Sequence, residues 1–491
     1  MRLRQISTSK YLLILILAVF FLKGVFLATL YPIFGGQDEA RHYSGVQYLA
    51  EPHDIGSDRL KDPRSSDNTL VEKDNFDSYN FSEEIQKTAR ATDTRILRGE
   101  MFNTIGFSGS YDGRNEMEID AKRWKPYNYY EHPDVAGASS LYHRLASVIE
   151  RFFSEQSILV RFYLIRIFSV LLGALAVFLA YRIAQTIGFA EKHALILAAI
   201  IAFQPKFSSY FTNINYDVLL IPMFFLFTLA GVLVLKDGLN WKNSAFLAFA
   251  ITGAIFTKAT GYILVVAALG LVAYLLYEKV KLRERQVRNR AYAAVALMTL
   301  AVASYIYTHF LVSTQSLGQT IGSIGDYLSR TITFGKFVMP SDTYWGTLSW
   351  VRSPVLDNTT NFLLIVELAA LVGLGIYFFS KKFTSPDSLP KKKYVLFLIG
   401  MVVLLELGIR VADWHVFSGS GSMRYSLGTP GRYFLPNLSA HILLIATGLG
   451  ALLVRFKKEH WFETTLLSGL ILMFALNLYL IFDVIILRFY F

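Results

Sequence analysis

The run Tyr11-Leu-Leu-Ile-Leu-Ile-Leu-Ala-Val-Phe-Phe-Leu-Lys-Gly-Val-Phe-Leu-Ala-Thr-Leu-Tyr31 decides the class of fold. A membrane-spanning helix needs about 20 mainly apolar residues, and this stretch supplies them with Lys23 as its one charge. Basic residues precede it (Arg2, Arg4, Lys10), the flank expected where an N-terminus stays in the cytoplasm. A cleaved signal peptide would be shorter and end in a small-residue cleavage site. This run continues to Pro32 without one and reads as a retained anchor.

The rest of the chain repeats the pattern. Apolar runs recur at roughly 160–186, 193–211, 215–235, 243–258, 261–277, 291–311, 361–380, 394–410, 432–454 and 463–485. The expectation is an all-α polytopic membrane protein of about 11 transmembrane helices. Composition agrees: of 491 residues, 53% are hydrophobic and only 17% charged, against roughly 25% charged in soluble proteins. Aromatic residues at 15% exclude a disordered chain. The net charge of +11 comes from short basic runs between apolar segments, which argues for membrane orientation and against nucleic acid. Cysteine is absent, so disulfides and thiolate metal sites are impossible.

Alternation from a cytoplasmic N-terminus places Arg182–Lys192, Lys236–Lys242, Lys279–Arg290, Lys381–Lys393 and Arg455–Lys458 on one side. Those are the basic loops, as the positive-inside rule requires. The large mixed-charge loops fall on the other side. The chain then divides into 1–31 (N-terminus and first span), 32–158 (first extracytoplasmic loop), 159–311 (spans two to seven), 312–360 (second large loop) and 361–491 (spans eight to eleven, with a loop at 411–431). Within the first loop, Glu39–Ala50 and Ala138–Phe153 read as membrane-hugging amphipathic helices.

Chemistry-bearing residues cluster at the extracytoplasmic ends. Pro32 and Gly35-Gly36 end the first helix and turn the chain along the surface, which holds Asp38 and Glu39 at the interface. Adjacent carboxylates beside low-dielectric lipid suit general-base work; equally, Asp38 is placed to cap a helix over Glu39–Ala50. His42 lies one turn on from Asp38. Glu131-His132-Pro133-Asp134 can bring a second polar cluster back to the membrane, or be an interfacial aromatic loop. Lys206, Asn215 and Asp217 bracket an outward hairpin, where either of the last two would also serve as a helix cap. Lys258 sits between two apolar helices with almost no loop, a costly place for a charge unless it pairs or snorkels. Trp345 belongs to a second outer loop, and Gly431-Arg-Tyr-Phe-Leu-Pro436 sets Arg432 and Tyr433 at a helix start, an arrangement suited to an anion.

In this order the motifs resemble polytopic glycosyltransferases of the GT-C class, which begin with one span and a long outer loop opening on an acidic pair. More narrowly, the chain is similar to a family of bacterial GT-C-like membrane proteins of unknown function. The matching pieces are Pro32, Asp38-Glu39 and His42, then His132-Pro133, Asn215-Tyr-Asp217, Trp345-Gly-Thr-Leu-Ser-Trp350 and Gly431-Arg-Tyr-Phe-Leu-Pro436. Asp134 departs from the family's His-Pro-Pro, and Leu348-Ser349 from its Phe-Gly.

The resemblance implies an inverting transfer of a sugar from a polyprenyl-phosphate-linked donor to a cell-envelope glycan or glycolipid hydroxyl, on the extracytoplasmic side of a bacterial plasma membrane. It implies Asp38 as catalytic base, with Glu39 orienting the acceptor or holding a divalent cation. A phosphate leaving group needs cationic stabilisation rather than an acid, for which Arg432, Lys206 and Lys258 are the candidates. His42, His132, Asn215, Asp217, Trp345 and Tyr433 complete the expected substrate contacts. Two other functions compete: a flippase for lipid-linked sugars, whose mark would be internal repeats, and a non-catalytic envelope assembly protein.

Overall fold

A computed structural model describes residues 8–36, 38–50, 84–85, 88, 140–280, 322–329, 341–346, 354–379, 389–420 and 431–490. The helices in chain order are α1 (Thr8–Leu30), α2 (Glu39–Ala50), α3 (Leu141–Phe152), α4 (Ile158–Ile187), α5 (Glu191–Phe203), α6 (Pro205–Tyr210), α7 (Asp217–Asp237), α8 (Trp241–Thr257), α9 (Tyr262–Val280), α10 (Ser341–Trp345), α11 (Pro354–Phe379), α12 (Lys392–Ser420), α13 (Leu438–Arg455), α14 (Phe462–Tyr479) and α15 (Leu487–Tyr490). No strand occurs among the described residues. The protein is all-α, and eight of its described helical segments are long and apolar enough to cross a membrane.

Two further expected spans are present in other forms. The run 193–211 is broken: α5 ends at Phe203, Gln204 is extended, and α6 restarts at Pro205. Proline lacks an N–H and forces its predecessor out of the helical region. The break is sealed from within: Gln204 caps α6 through the Phe207 N–H, Lys23 Nζ donates to Ala202 O at 2.7 Å, and the Asn477 amide donates to Phe203 O. Backbone irregularity at membrane depth survives only when so satisfied. The run 243–258 is α8, 17 residues long. The expected span 291–311 and the stretches 51–83 and 89–139 lie outside the described residues.

The helix α12 runs on through Ser420, past the expected end of its span at 410. Charges gather around that expected end: Arg410 pairs with Glu406 one turn back, and Asp413 accepts from Tyr327 at 2.6 Å.

Packing follows membrane logic, with small residues letting backbones approach. Gly373 of α11 faces Gly448 of α13 so closely that a Cβ on Gly373 would stand 1.9 Å from the Gly448 carbonyl oxygen. The basic connections gather at one end of the bundle. There Lys192 at the start of α5 pairs with Glu463 of α14, Lys393 of α12 donates to Leu235 O of α7, and Lys392 donates to Phe378 O of α11. The end of α1, all of α2, the starts of α7 and α9, and the turn before α13 share the opposite end, and the polar site forms there.

Candidate active site

The site starts from the turn between α1 and α2. Gly36 is required because an added Cβ would fall 2.7 Å from the Asn213 side chain and 2.8 Å from Glu39 Oε2. Under this turn lies Arg166 of α4, fully buried. Its Nη1 donates to Ala28 O and Tyr31 O, and Nη2 to Pro32 O, at 2.6 to 2.8 Å. The same guanidinium grips Glu39 in a fork, Nε to Oε1 at 2.8 Å and Nη2 to Oε2 at 2.6 Å. Glu39 also accepts the N–H groups of Gly36 (2.9 Å) and Ile214 (3.0 Å). All its acceptor positions are occupied, so the carboxylate keeps none free for an acceptor sugar or a cation.

Asp38 is the opposite case. It stands in the left-handed region at φ 55, a conformation that costs a non-glycine residue roughly 1–2 kcal/mol. It is half-buried, and its backbone carbonyl accepts the His42 N–H at 3.0 Å, as a capping residue does. Among the described residues its carboxylate takes no hydrogen bond, and it feels the charge of Arg432.

Arg432 belongs to a tight 3₁₀ turn, Gly431–Asn437, that precedes α13. It therefore stands at the start of the helical segment Gly431–Arg455, in its 3₁₀ part and ahead of α13 itself. The turn is pinned to the second-loop motif by the Gly431 N–H donating to Thr343 Oγ1 at 2.8 Å. Arg432 is 8% exposed, with its guanidinium 4.8 Å from the Tyr433 ring centroid and Nη2 3.5 Å from the Tyr433 hydroxyl. Among the described residues no carboxylate forms an ion pair with it. Lys206 lies close enough for the two charges to interact.

Lys258 is paired. Its ammonium lies 2.9 and 3.1 Å from the Asp217 oxygens and sits over the rings of Tyr216 (4.6 Å) and Tyr433 (4.4 Å). Asp217 also accepts from the Tyr210 hydroxyl at 3.1 Å. Asn215 does the capping work at the start of α7, its Oδ1 accepting the Asp217 N–H at 2.8 Å. A charge at this depth is thus matched by a partner and two aromatic faces.

His42 completes the wall. Its ring stacks on His143 of α3 at 5.2 Å and meets Tyr216 edge-on at 4.7 Å. Burial above all, then the cations Lys258, Arg41 and Arg432, pushes its pKa down to about 3, so the imidazole is neutral.

The structure therefore brings together Asp38, Glu39, His42, Lys206, Asn215, Asp217, Lys258, Arg432 and Tyr433. Trp345 lies on α10, whose Thr343 pins the Arg432 turn, but its side chain has other partners: Nε1 donates to Glu367 of α11 at 2.9 Å, and its ring packs near His441 of α13. His132 lies outside the described residues. Among the described residues, no cluster of three or more His, Asp and Glu could hold a metal.

Sequence reading passed over Arg166, His143 and the second buried cluster, in which Arg161 pairs with Glu84 and Glu150 while Tyr43 bonds Glu150. The signal was present, since Arg161 and Arg166 interrupt an apolar run and an intramembrane charge marks a site by default.

No curated protein and no solved structure matches the chain. Residues 158–307, from the start of α4 past the end of α9, match the model of one family, described as dolichyl-phosphate-mannose-protein mannosyltransferase. That family is of the GT-C glycosyltransferase type, so the expected resemblance holds over a stretch that includes Arg166, Lys206, Asp217 and Lys258.

Proposed function

We propose that the chain is an inverting glycosyltransferase that moves a sugar from a polyprenyl-phosphate-linked donor to a cell-envelope hydroxyl, at the extracytoplasmic face of a bacterial plasma membrane. The observation that carries this reading is that Asp38, a carboxylate with no hydrogen bond among the described residues, lies within electrostatic reach of Arg432, a buried cation with no ion-pair partner among them. A base and a cradle for an anion are what this transfer needs.

In the reaction, Asp38 accepts the proton of the acceptor hydroxyl as that oxygen attacks the anomeric carbon. The bond from that carbon to the phosphate oxygen breaks on the opposite face, and the electron pair leaves with polyprenyl phosphate. Arg432, with Lys206 beside it, stabilises the charge that develops there. A phosphate leaves as a stable anion, so no general acid is required. Supporting this orientation, the basic connections lie at the end away from the site, as the positive-inside rule expects of a cytoplasmic end.

The test is release of polyprenyl phosphate by the purified protein from a polyprenyl-phosphate sugar in the presence of membrane extract. Asp38→Asn should abolish release and leave the protein folded. Full turnover in that variant would remove Asp38 from the mechanism. Labelled lipid crossing liposomes with no donor consumed would replace transfer by transport.

A further inference from the structure

Three side chains stand in a row behind the site. Ser140 Oγ lies 2.7 Å from His143 Nδ1, and His143 Nε2 lies 3.1 Å from His42 Nδ1. All three residues are more than nine-tenths buried. Counting protons gives the row a direction. Ser140 Oγ already accepts the backbone N–H of His143 at 3.3 Å. Its own hydrogen has one acceptor within reach among the described residues, His143 Nδ1, and a buried hydroxyl donates where it can. A His143 whose Nδ1 accepts must carry its proton on Nε2, and that proton points at His42 Nδ1. The neutral His42 then has its proton on Nε2, which has no hydrogen-bond partner among the described residues.

We propose that Ser140 and His143 are positioning residues that lock His42 in the Nε2–H tautomer, so that His42 meets the ligand as a neutral hydrogen-bond donor to a phosphate or sugar oxygen. The ligand in this statement rests on the proposed glycosyl transfer; the tautomer does not. The surroundings favour such a donor. Arg41, Lys258 and Arg432 all bear on His42, so an imidazolium there would add a further positive charge among cations and be repelled. A neutral N–H adds a fixed dipole toward an anion without that cost. It also leaves Asp38 without a competing base. The stacked His143 ring and the edge of Tyr216 hold the imidazole plane, and the α2 backbone bond from His42 N–H to Asp38 O ties it to the residue that takes the proton.

The tautomer is read directly in full-length protein carrying ¹⁵N-histidine, in lipid nanodiscs, with the His42→Gln spectrum subtracted to isolate His42. The expected signal is a protonated Nε2 and an unprotonated Nδ1, giving way to a mixture in His143→Phe. A protonated Nδ1 in the wild type, or no change in His143→Phe, overturns the proposal whether or not the protein turns over a donor.

Turnover of a polyprenyl-phosphate sugar supplies the second arm. His143→Phe should lower kcat/KM roughly 10- to 100-fold, the worth of a hydrogen bond to a charged group, while His143→Gln, whose amide N–H can replace Nε2–H, should recover most of it. In a His42→Phe background, His143→Phe should change nothing further, because it acts through His42. Additive losses, or a wild-type rate that falls as pH rises through 6 to 7 and keeps that dependence in Asp38→Glu, would make His42 a cation and sink the idea. A wild type that consumes no donor would count against the glycosyl-transfer reading, and the spectra would still decide the tautomer.

Discussion

Glu39 of α2 and Arg166 of α4 close a buried fork in which every N–H of the guanidinium and every acceptor position of the carboxylate has a partner. The pair ties the end of α1, the turn at 31–36, the α6–α7 hairpin and α4 into one rigid corner. Asp38 is carried on that corner without belonging to it.

Removing one half of the fork should therefore be severe. Arg166→Met leaves a fully buried carboxylate unpaired, an effect of about 3–5 kcal/mol, read as a lowered Tm in detergent. Arg166→Lys should fare little better, because an ammonium offers three donors where five are used. Pairing Arg166→Met with Glu39→Leu should recover part of the loss. If the double variant is no more stable than Arg166→Met, the uncapped carbonyls of Ala28, Tyr31 and Pro32, and not the charge, carry the effect.

Asp38 should show stability and activity moving in opposite directions. Asp38→Gly removes both the carboxylate and the penalty of its left-handed backbone, so the variant should be inactive yet more stable by up to about 1 kcal/mol. Thermal unfolding beside a donor-release assay checks both. A destabilised Asp38→Gly would mean the side chain holds the turn together.

Arg432 gives a complementary case. Its charge has no ion-pair partner among the described residues, so Arg432→Gln should leave Tm unchanged or raised. Donor turnover should fall about 10²- to 10³-fold, the usual loss when a group stabilising a transition-state anion is removed. An unaltered rate would move the phosphate cradle elsewhere.

His42 predicts how stability depends on pH. Its pKa is lowered to about 3 in the folded protein, against about 6.5 in an unfolded chain. Between those values the unfolded state binds a proton that the folded state refuses, so stability rises with pH there. His42 imposes no penalty above pH 6.5; a penalty accumulates as pH falls from 6.5 toward 3. His42→Gln should flatten that part of the Tm profile, with Arg41, Lys258, Arg432, His143 and Tyr216 the groups that face the ring. A profile identical to wild type would show that other groups set the acid limit.

Much of the architecture was legible residue by residue. The apolar run at Tyr11–Tyr31 is a helix over Thr8–Leu30, and the amphipathic stretches at Glu39–Ala50 and Ala138–Phe153 are α2 and α3. Helical hydrophobic length depends on local sequence alone, and it survives folding. The break at Gln204-Pro205 was missed because hydropathy does not register a missing N–H when the flanking residues stay apolar. Lys258 was recognisable as a charge needing a partner, but its partner, Asp217, lies 41 positions away.

For the site, local sequence determined that two adjacent carboxylates end up at the end of the first helix, beside a turn that only small residues permit. It could not say which of them is free. Glu39 is spent on Arg166, 127 positions along the chain, and Asp38 is left within electrostatic reach of Arg432, in the turn before α13. Neighbours in sequence share a backbone, whereas hydrogen-bond partners are assigned by whatever packing brings near. The difference between a fully bonded Glu39 and an unbonded Asp38 therefore exists only once α4 and the turn before α13 are packed against α2.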